Sequence, residues 1–229
     1  MTELVVAGRF NGPARSGNGG YTAGALAALV DADLVEVTLR RPPPLDTPMT
    51  VRTADGVTTA SYDGQPVAEA RAVDVALEEV APVAPDVAAD AMLRYAGLRV
   101  HPFPTCFGCG TDRAEGDGLR IFPGPVGDDP GRVASLWVPH EPDDATTWAA
   151  LDCVGGWSSD LEGRPSVLGR MTARLEWLPV VGDPHVVVGR HLRDEGRKTF
   201  TASALFDGDG RLVARAVHIW LQVDPSVFN

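Results

Sequence analysis

An internal repeat constrains the fold of this chain more than any other feature of its sequence. Segment 36–51 aligns without gaps on segment 172–187, and further short matches follow in the same order. The matched residues are Leu39 and Leu175, Pro43 and Pro179, Pro48 and Pro184, Thr59-Ala60-Ser61 and Thr201-Ala202-Ser203, Gly64 and Gly210, Val67 and Val213, Ala68 and Ala214, and Ala70 and Ala216. Such self-similarity indicates two copies of one structural unit. Chance similarity between strands rich in alanine and valine is the alternative.

Apolar periodicity and turn signals predict that each copy is a helix followed by an antiparallel meander, which makes the fold class α+β. A short strand over 4–10 leads through a glycine-rich turn into a helix over 21–30. The strands expected to follow in the first copy are 33–41, 48–53, 57–62 and 66–75. A short helix over 87–98 is expected in the connecting segment. The elements expected in the second copy are a helix over 145–160 and strands over 119–122, 132–138, 167–178, 185–192, 199–206 and 212–223.

Composition and charge exclude several classes of protein. With 229 residues, of which 44% are hydrophobic, the chain can bury an ordinary packed core. A net charge of −11 argues against nucleic-acid or anionic-membrane partners, because such binding needs a basic surface. No apolar run approaches the roughly 20 residues that span a bilayer, and the N-terminus lacks a secretory pattern. We therefore expect a cytoplasmic protein without a disulfide framework, although Cys106, Cys109 and Cys153 are present.

Asp152 lies in ATTWAALDCVGGWSSD (145–160), on the face of a predicted helix that should be buried. Trp148, Leu151, Asp152 and Gly155 recur at the spacing of one helical stripe. An ionised carboxylate there is costly unless a partner or a wet pocket lies beside it. Asp152 is therefore a candidate catalytic residue, either a general base on water or a nucleophile. The alternative is a structural carboxylate that accepts a neighbouring backbone N–H.

The turn before the first helix contains NGGY (18–21). It does not match a dinucleotide site, because Thr22 stands at the third glycine position and no Gly-Lys-Ser/Thr follows. The first N–H groups of a helix lack intrahelical partners and favour developing negative charge. Gly19, Gly20 and Tyr21 are therefore candidate donors to a substrate carbonyl, and glycine permits its close approach. Ordinary loop glycines are the alternative.

The duplicated unit, the NGGY turn, Asp152 and the closing strand DGRLVARAVH (209–218) together resemble the double hotdog acyl-CoA thioesterase family, relatives of the type II acyl-CoA thioesterases. The resemblance implies a double hotdog fold, two repeats of a helix wrapped by a curved antiparallel sheet. Two positions depart from the family. His218 stands where a glutamine is usual, and Gly169 stands where a hydroxyl residue is expected, with Thr172 as the nearest substitute.

A second motif suggests where the C-terminal unit begins. CFGCG (106–110), followed by Gly118 and Leu119, resembles the opening of many single-unit hotdogs of the thioesterase superfamily. The expected division of the chain is an N-terminal hotdog unit over 1–77, a connector over 78–104 and a C-terminal hotdog unit over 105–229.

The Cys-x-x-Cys spacing of Cys106 and Cys109 is also that of a zinc knuckle or a redox turn. A closed zinc site needs about four ligands, and His101 and Cys153 are the only conceivable additions. We therefore expect no metal, with buried or weakly reactive thiols as the default interpretation.

The resemblance implies one composite site per chain, because the first helix starts with Gly-Gly and the second carries the acid. The implied activity is hydrolysis of a small or medium acyl thioester, without a cofactor, since coenzyme A is part of the substrate. The predicted catalytic residues are Asp152, His218, Gly19, Gly20, Tyr21 and Thr172. The alternatives are a non-hydrolytic acyl-thioester binding protein and a hotdog-type enoyl-thioester hydratase or dehydratase that pairs His218 with Asp152. His218 could instead be a hydrogen-bonded core residue.

Because coenzyme A carries phosphates, we expect basic side chains at the mouth of the pocket. Arg193, Arg197 and Lys198, in the turn RDEGRK, form the densest basic cluster. A solvated hairpin tip, partly neutralised by Asp194 and Glu195, is the alternative. The expected partner is thus acyl-CoA or another acyl thioester, with no nucleic acid and no membrane. A homodimer through exposed sheet edges stays open.

Overall fold

The computed structural model describes residues 2–227, and its elements follow the predicted alternation. The first half contains β1 (Thr2–Leu4), α1 (Gly19–Ala27), β2 (Leu34–Leu39), β3 (Met49–Ala54), β4 (Val57–Tyr62) and β5 (Gln65–Ala72). Helix α2 (Pro85–Met92) lies between the halves. The second half contains β6 (Gly124–Val126), β7 (Asp129–Trp137), α3 (Asp144–Trp157), β8 (Ser166–Leu175), β9 (His185–Glu195), β10 (Lys198–Phe206) and β11 (Leu212–Gln222). Short 3-10 turns occupy Gly8–Phe10, Ala96–Leu98 and Pro225–Val227.

Within residues 2–227, the named strands form one antiparallel sheet in the order β1-β3-β4-β5-β2-β8-β11-β10-β9-β7-β6. Strands β2 and β8 join the halves, and Glu36 pairs with Thr172, the two residues that begin the gap-free alignment. On either side of this pair the strand order repeats, so the halves are related by a local twofold axis there. Each half wraps its meander around one helix. The expected α+β double hotdog fold is confirmed.

The two halves differ in the length of one hairpin. Val51 pairs with Ala60 in the first half, whereas its counterpart Val187 pairs with Leu205. The sheet therefore matches Ala60 with Leu205 and not with Ala202, so the Thr-Ala-Ser match in the sequence alignment is wrong by three residues. The cause is that β9 and β10 have 11 and 9 residues, whereas β3 and β4 have 6 each.

The first predicted strand is also shorter than expected. Within 4–10 only Leu4 belongs to β1, because the chain turns at Gly8–Phe10. The Gly8 N–H donates to Asp46 Oδ1 at 2.8 Å, outside the sheet. This turn redirects the chain toward the glycine-rich entry to α1.

The two long helices cross in direct contact. A Cβ on Gly24 of α1 would lie 2.8 Å from the Ala145 Cα and 2.7 Å from the Trp148 Cβ of α3. A Cβ on Gly20, one turn earlier on the same face, would lie 2.4 Å from the Asp152 Cβ. Side chains larger than hydrogen would separate the helices. The glycines therefore bring the start of α1 against the middle of α3, whose residues are buried from Ala145 to Trp157.

The connecting segment covers the face of the second half's sheet that points away from the helices. Val80, Val83 and Ala88 share a buried cluster with Val186 and Val188, whose side chains alternate with the helix-facing Val187. Helix α2 thereby completes a second packing layer. No helix in the described part of the chain combines the length and apolar character needed to cross a membrane.

Replacing Gly24 by alanine should lower the free energy of unfolding by about 1–3 kcal/mol, because the new Cβ overlaps α3. This loss exceeds the gain in helix propensity of up to about 1 kcal/mol. Urea unfolding of Gly24→Ala measures the effect. Gly208→Ala is the control, because its Cβ would meet no atom nearer than the Pro184 carbonyl oxygen at 3.5 Å. Equal stability of Gly24→Ala and the parent protein would contradict the close crossing.

Candidate functional site

Asp152 projects from α3 toward the start of α1. Its Oδ2 accepts a hydrogen bond from the Gly20 backbone N–H at 2.9 Å, whereas its buried Oδ1 has no partner among the described residues. Burial, the largest cause, raises the pKa of the Asp152 carboxyl to about 8, and the bond from Gly20 opposes this shift. A carboxyl with a pKa near neutrality can both accept and return a proton. Oδ1 is the oxygen left for that chemistry.

The three predicted N–H donors at the start of α1 are not equivalent. The Asn18 side chain caps the helix, and its Oδ1 accepts the Tyr21 N–H at 2.8 Å. The Gly20 N–H is bonded to Asp152. Among the described residues, the Gly19 N–H has no hydrogen-bond partner. The expectation that Gly20 and Tyr21 supply free donors is therefore wrong, because Asp152 occupies the Gly20 N–H and the helix cap occupies the Tyr21 N–H.

A cavity of about 250 Å³ lies between the two units. The first unit lines it with Asn18, Gly19 and Leu39, and the second unit with Asp152 and Trp220. The free Gly19 N–H donor and the Asp152 carboxyl thus share one cavity, although they are far apart in the sequence. Since its walls are largely apolar, the cavity suits an apolar ligand with a polar group near Gly19 and Asp152.

His218 lies elsewhere in the structure. It is buried on β11, with Nδ1 3.2 Å from the Thr201 hydroxyl, and it packs against Gly155 of α3. Burial lowers the pKa of His218 to about 4, so the ring is neutral at physiological pH. Within residues 2–227 neither ring nitrogen bonds to Asp152. The structure therefore does not bring together the His218–Asp152 pair that the sequence hypothesis required.

Thr172 is not among the residues that line the cavity. It is buried in β8, where it pairs with Glu36 and Val217. Within β8, the hydroxyl residue that does line the cavity is Ser166, the first residue of the strand, whose Oγ donates to the Arg164 carbonyl at 2.9 Å. Sequence reasoning missed Ser166, because the strand was expected to begin one residue later.

The predicted basic cluster is only partly at the cavity. Arg197 lines it, whereas Arg193 lies over the Phe200 ring at 3.8 Å and bonds to Glu195. Lys198 is exposed and is not among the lining residues. Of the three predicted phosphate contacts, the structure therefore brings Arg197 to the cavity and not the other two.

Arg40 and Arg41 also line the cavity, at its exposed rim, and sequence reasoning missed them. Arg40 forms an ion pair with Glu69 at 2.7 Å, and Arg41 donates to the Gln65 side-chain oxygen at 3.1 Å. The signal that could have found them is two adjacent arginines at the end of a predicted strand, before three prolines. Together with Arg197 they make the rim basic in an otherwise acidic protein.

The loop formed by CFGCG (106–110), called the cysteine loop below, forms another wall of the cavity. The N–H groups of Leu119 and Ile121 donate to the carbonyls of Phe107 and Gly108 at 2.9 Å each. The segment predicted as a strand over 119–122 is therefore not a strand, because its hydrogen bonds go to this loop. Cys106 and Cys109 line the cavity together with Cys153 of α3, and all three are free thiols.

Comparisons with known proteins support the fold. No protein-family model matches the sequence, and the search of curated proteins finds no match. A hotdog-fold protein of unknown function from Alicyclobacillus acidocaldarius is 16% identical, with a TM-score of 0.63 over 97% of this chain and 93% of its own. An acyl-CoA thioesterase II from Mycobacterium marinum is 13% identical, with a TM-score of 0.54 over 99% of this chain and 94% of its own. At these identities, the likeness shows a shared hotdog fold.

His218→Gln should make the protein less sensitive to acid. Because the folded pKa of His218 lies below the unfolded value near 6.5, the unfolded chain binds the proton more readily as the pH falls. The loss in free energy of unfolding caused by His218 should therefore increase from about pH 6.5 down to pH 4. At pH 5 this loss should be about 2 kcal/mol.

Urea unfolding at pH 7.5 and pH 5 measures this change, and His218→Gln should show a smaller loss than the parent protein. His140→Gln, at an exposed histidine, is the control and should behave as the parent does. An identical pH dependence in the parent and His218→Gln would contradict a buried, neutral His218.

Proposed function

We propose that this chain hydrolyses acyl-CoA thioesters carrying a small or medium acyl group, at the cavity between its two units. The observation that carries the proposal is the 2.9 Å bond from the Gly20 N–H to Asp152 Oδ2 at the cavity wall. The acyl-CoA thioesterase II of similar fold supports it. Since one fold hosts many chemistries, the residues at the cavity carry more weight than that likeness.

The proposed reaction uses both ends of the composite site. The thioester carbonyl oxygen accepts the Gly19 N–H at the positive end of α1, which stabilises the negative charge that develops there. Asp152 Oδ1 either takes a proton from an attacking water or attacks the carbonyl carbon and forms an anhydride that water resolves. In both routes the acyl C–S bond breaks, the water oxygen ends on the acyl group, and the departing coenzyme A sulfur takes up a proton. The products are a carboxylic acid and a thiol.

The basic rim supports coenzyme A as the carrier of the acyl group. Arg41 and Arg197 form no ion pair with a carboxylate among the described residues, so both are available to phosphate oxygens. A cavity of about 250 Å³ with apolar walls suits an acyl group of small or medium length.

A non-hydrolytic acyl-thioester binding protein is the second candidate. It is favoured by the position of His218, which leaves the cavity without the second proton-transfer residue expected from the sequence. The same observation counts against an enoyl-thioester hydratase or dehydratase, because that chemistry was expected to pair His218 with Asp152.

Asp152→Asn should reduce thioester turnover by about 10²–10⁴-fold, because an amide cannot act as a base or a nucleophile. The fold should persist, since the amide oxygen can still accept the Gly20 N–H. Thiol release from a panel of acyl-CoAs measures turnover. Asp144→Asn, in the first turn of the same helix, is the matched control. Unchanged hydrolysis by Asp152→Asn would remove Asp152 from the mechanism, and saturable binding without turnover in the parent would favour the second candidate.

Arg41→Ala and Arg197→Ala should each raise the KM for acyl-CoA by about 2–10-fold, since each loses one phosphate contact at an exposed site. The KM for the matching acyl-N-acetylcysteamine thioester, which has no phosphate, should stay the same. Arg193→Ala is the control, because this arginine packs on Phe200 outside the cavity. Equal effects on both substrates would argue against phosphate binding at the rim.

A further inference from the structure

Three thiols from two separate elements converge beside the cavity. Cys106 and Cys109 come from the loop and Cys153 from α3, and their Sγ atoms all lie within 4.8 Å of one another. The Sγ atoms of Cys106 and Cys153 are 3.9 Å apart. All three residues are buried and none is in a disulfide. Neither the fold nor the proposed hydrolysis explains why three thiols should meet here.

The backbone is shaped to hold this arrangement. The loop closes with a hydrogen bond from the Gly110 N–H to the Cys106 carbonyl at 2.8 Å. Gly108 packs closely against the Cys153 side chain, since a Cβ on Gly108 would lie 2.3 Å from the Cys153 Sγ. The Tyr95 hydroxyl donates a hydrogen bond to the Cys109 carbonyl at 3.1 Å. The contact between the loop and α3 is therefore built around the sulfur atoms.

An amide group points at two of the sulfurs. Asn18 Nδ2 lies 3.6 Å from the Cys106 Sγ and 3.9 Å from the Cys153 Sγ. Its orientation is set by Oδ1, which accepts the Tyr21 N–H at 2.8 Å. N–H donors aimed at sulfur favour the thiolate over the thiol, and such partners are typical of the surroundings of metal ligands. Asn18 also stands at the N-terminus of α1, where the helix dipole favours negative charge.

We propose that Cys106, Cys109 and Cys153 bind one thiophilic divalent metal ion, with zinc as the natural one, and leave its fourth coordination position open toward the cavity. Zinc binds thiolate at about 2.3 Å, so two sulfurs of a tetrahedral site lie about 3.8 Å apart. The Cys106–Cys153 separation of 3.9 Å already fits. The remaining separations, at most 4.8 Å, need a contraction of about 1 Å or less.

The open position follows from the partners of His101. Its Nε2 lies 3.1 Å from the Cys109 carbonyl and its Nδ1 accepts the Phe103 N–H at 3.0 Å, so both ring nitrogens are engaged. The fourth ligand would therefore be water or a small molecule from the cavity. From the sequence, Cys153 was only a conceivable additional ligand to Cys106 and Cys109. The structure places the Cys153 sulfur beside the sulfurs of these two residues.

Metal titration of the reduced, chelator-stripped protein under argon tests the site without any substrate. Cobalt(II) should produce thiolate-to-metal charge-transfer absorption that saturates at one ion per chain, and one equivalent of zinc should abolish it. A small thiol such as 2-mercaptoethanol should shift the cobalt spectrum, because it can enter the fourth position. Zinc should also raise the Tm of the parent protein.

Cys109→Ser and Cys153→Ser should each weaken zinc binding by at least about a hundredfold and lose the shift in Tm. His101→Asn is the control and should bind zinc within about threefold of the parent, because His101 is not a ligand. The Tm of each metal-free variant shows whether it folds.

Absence of charge-transfer absorption from a folded parent protein with three titratable thiols would overturn the proposal. Ready formation of a Cys106–Cys153 disulfide, without zinc binding in the reduced state, would overturn it in favour of a redox pair. Since metal binding is read without substrate, neither result depends on whether the chain hydrolyses thioesters.

Discussion

One buried hydrogen bond, from the Gly20 N–H to Asp152 Oδ2, joins the two halves of the chain where they meet at the cavity. It depends on glycine, because a Cβ at this position would come within 2.4 Å of the Asp152 Cβ. It also offsets part of the cost of burying a carboxyl group beside a helix start. The bond occupies one carboxylate oxygen, and the other has no partner within residues 2–227. The bond forms where α1 and α3 cross at the cavity, and the proposed chemistry depends on it.

The sheet is nearly symmetric, whereas the site is not. The pairing of β2 with β8 is centred on Glu36 and Thr172, and the strands on either side follow the same order. The first half contributes the glycine-rich helix start, and the second contributes the acid and the cysteine loop. The cavity therefore combines different groups from the two copies. Duplication within one chain permits this division, since each copy can change without altering the other.

The repeat that relates the two halves and the burial of Asp152 on a helix could both be predicted from the sequence. Leu39 and Pro43 match Leu175 and Pro179. The two members of each match are separated by the same number of residues as the pair at the centre of the β2–β8 register. The Thr-Ala-Ser match aligned residues that are three positions apart in the sheet, because the longer β9–β10 hairpin changes the register. Helical spacing alone identified Asp152 as a carboxylate on a buried face.

By itself the sequence determined the repeat, the alternation of helix and meander in each copy and the need for a partner beside Asp152, since these follow from local periodicity and turn chemistry. Only the tertiary structure decided that His218 does not contact Asp152, that Cys153 joins the loop thiols and that no acceptor within residues 2–227 takes the Gly19 N–H. These outcomes are distances between residues far apart in the chain. These distances depend on the point at which two helices cross and on the register between two strands. Sequence periodicity carries no information about either.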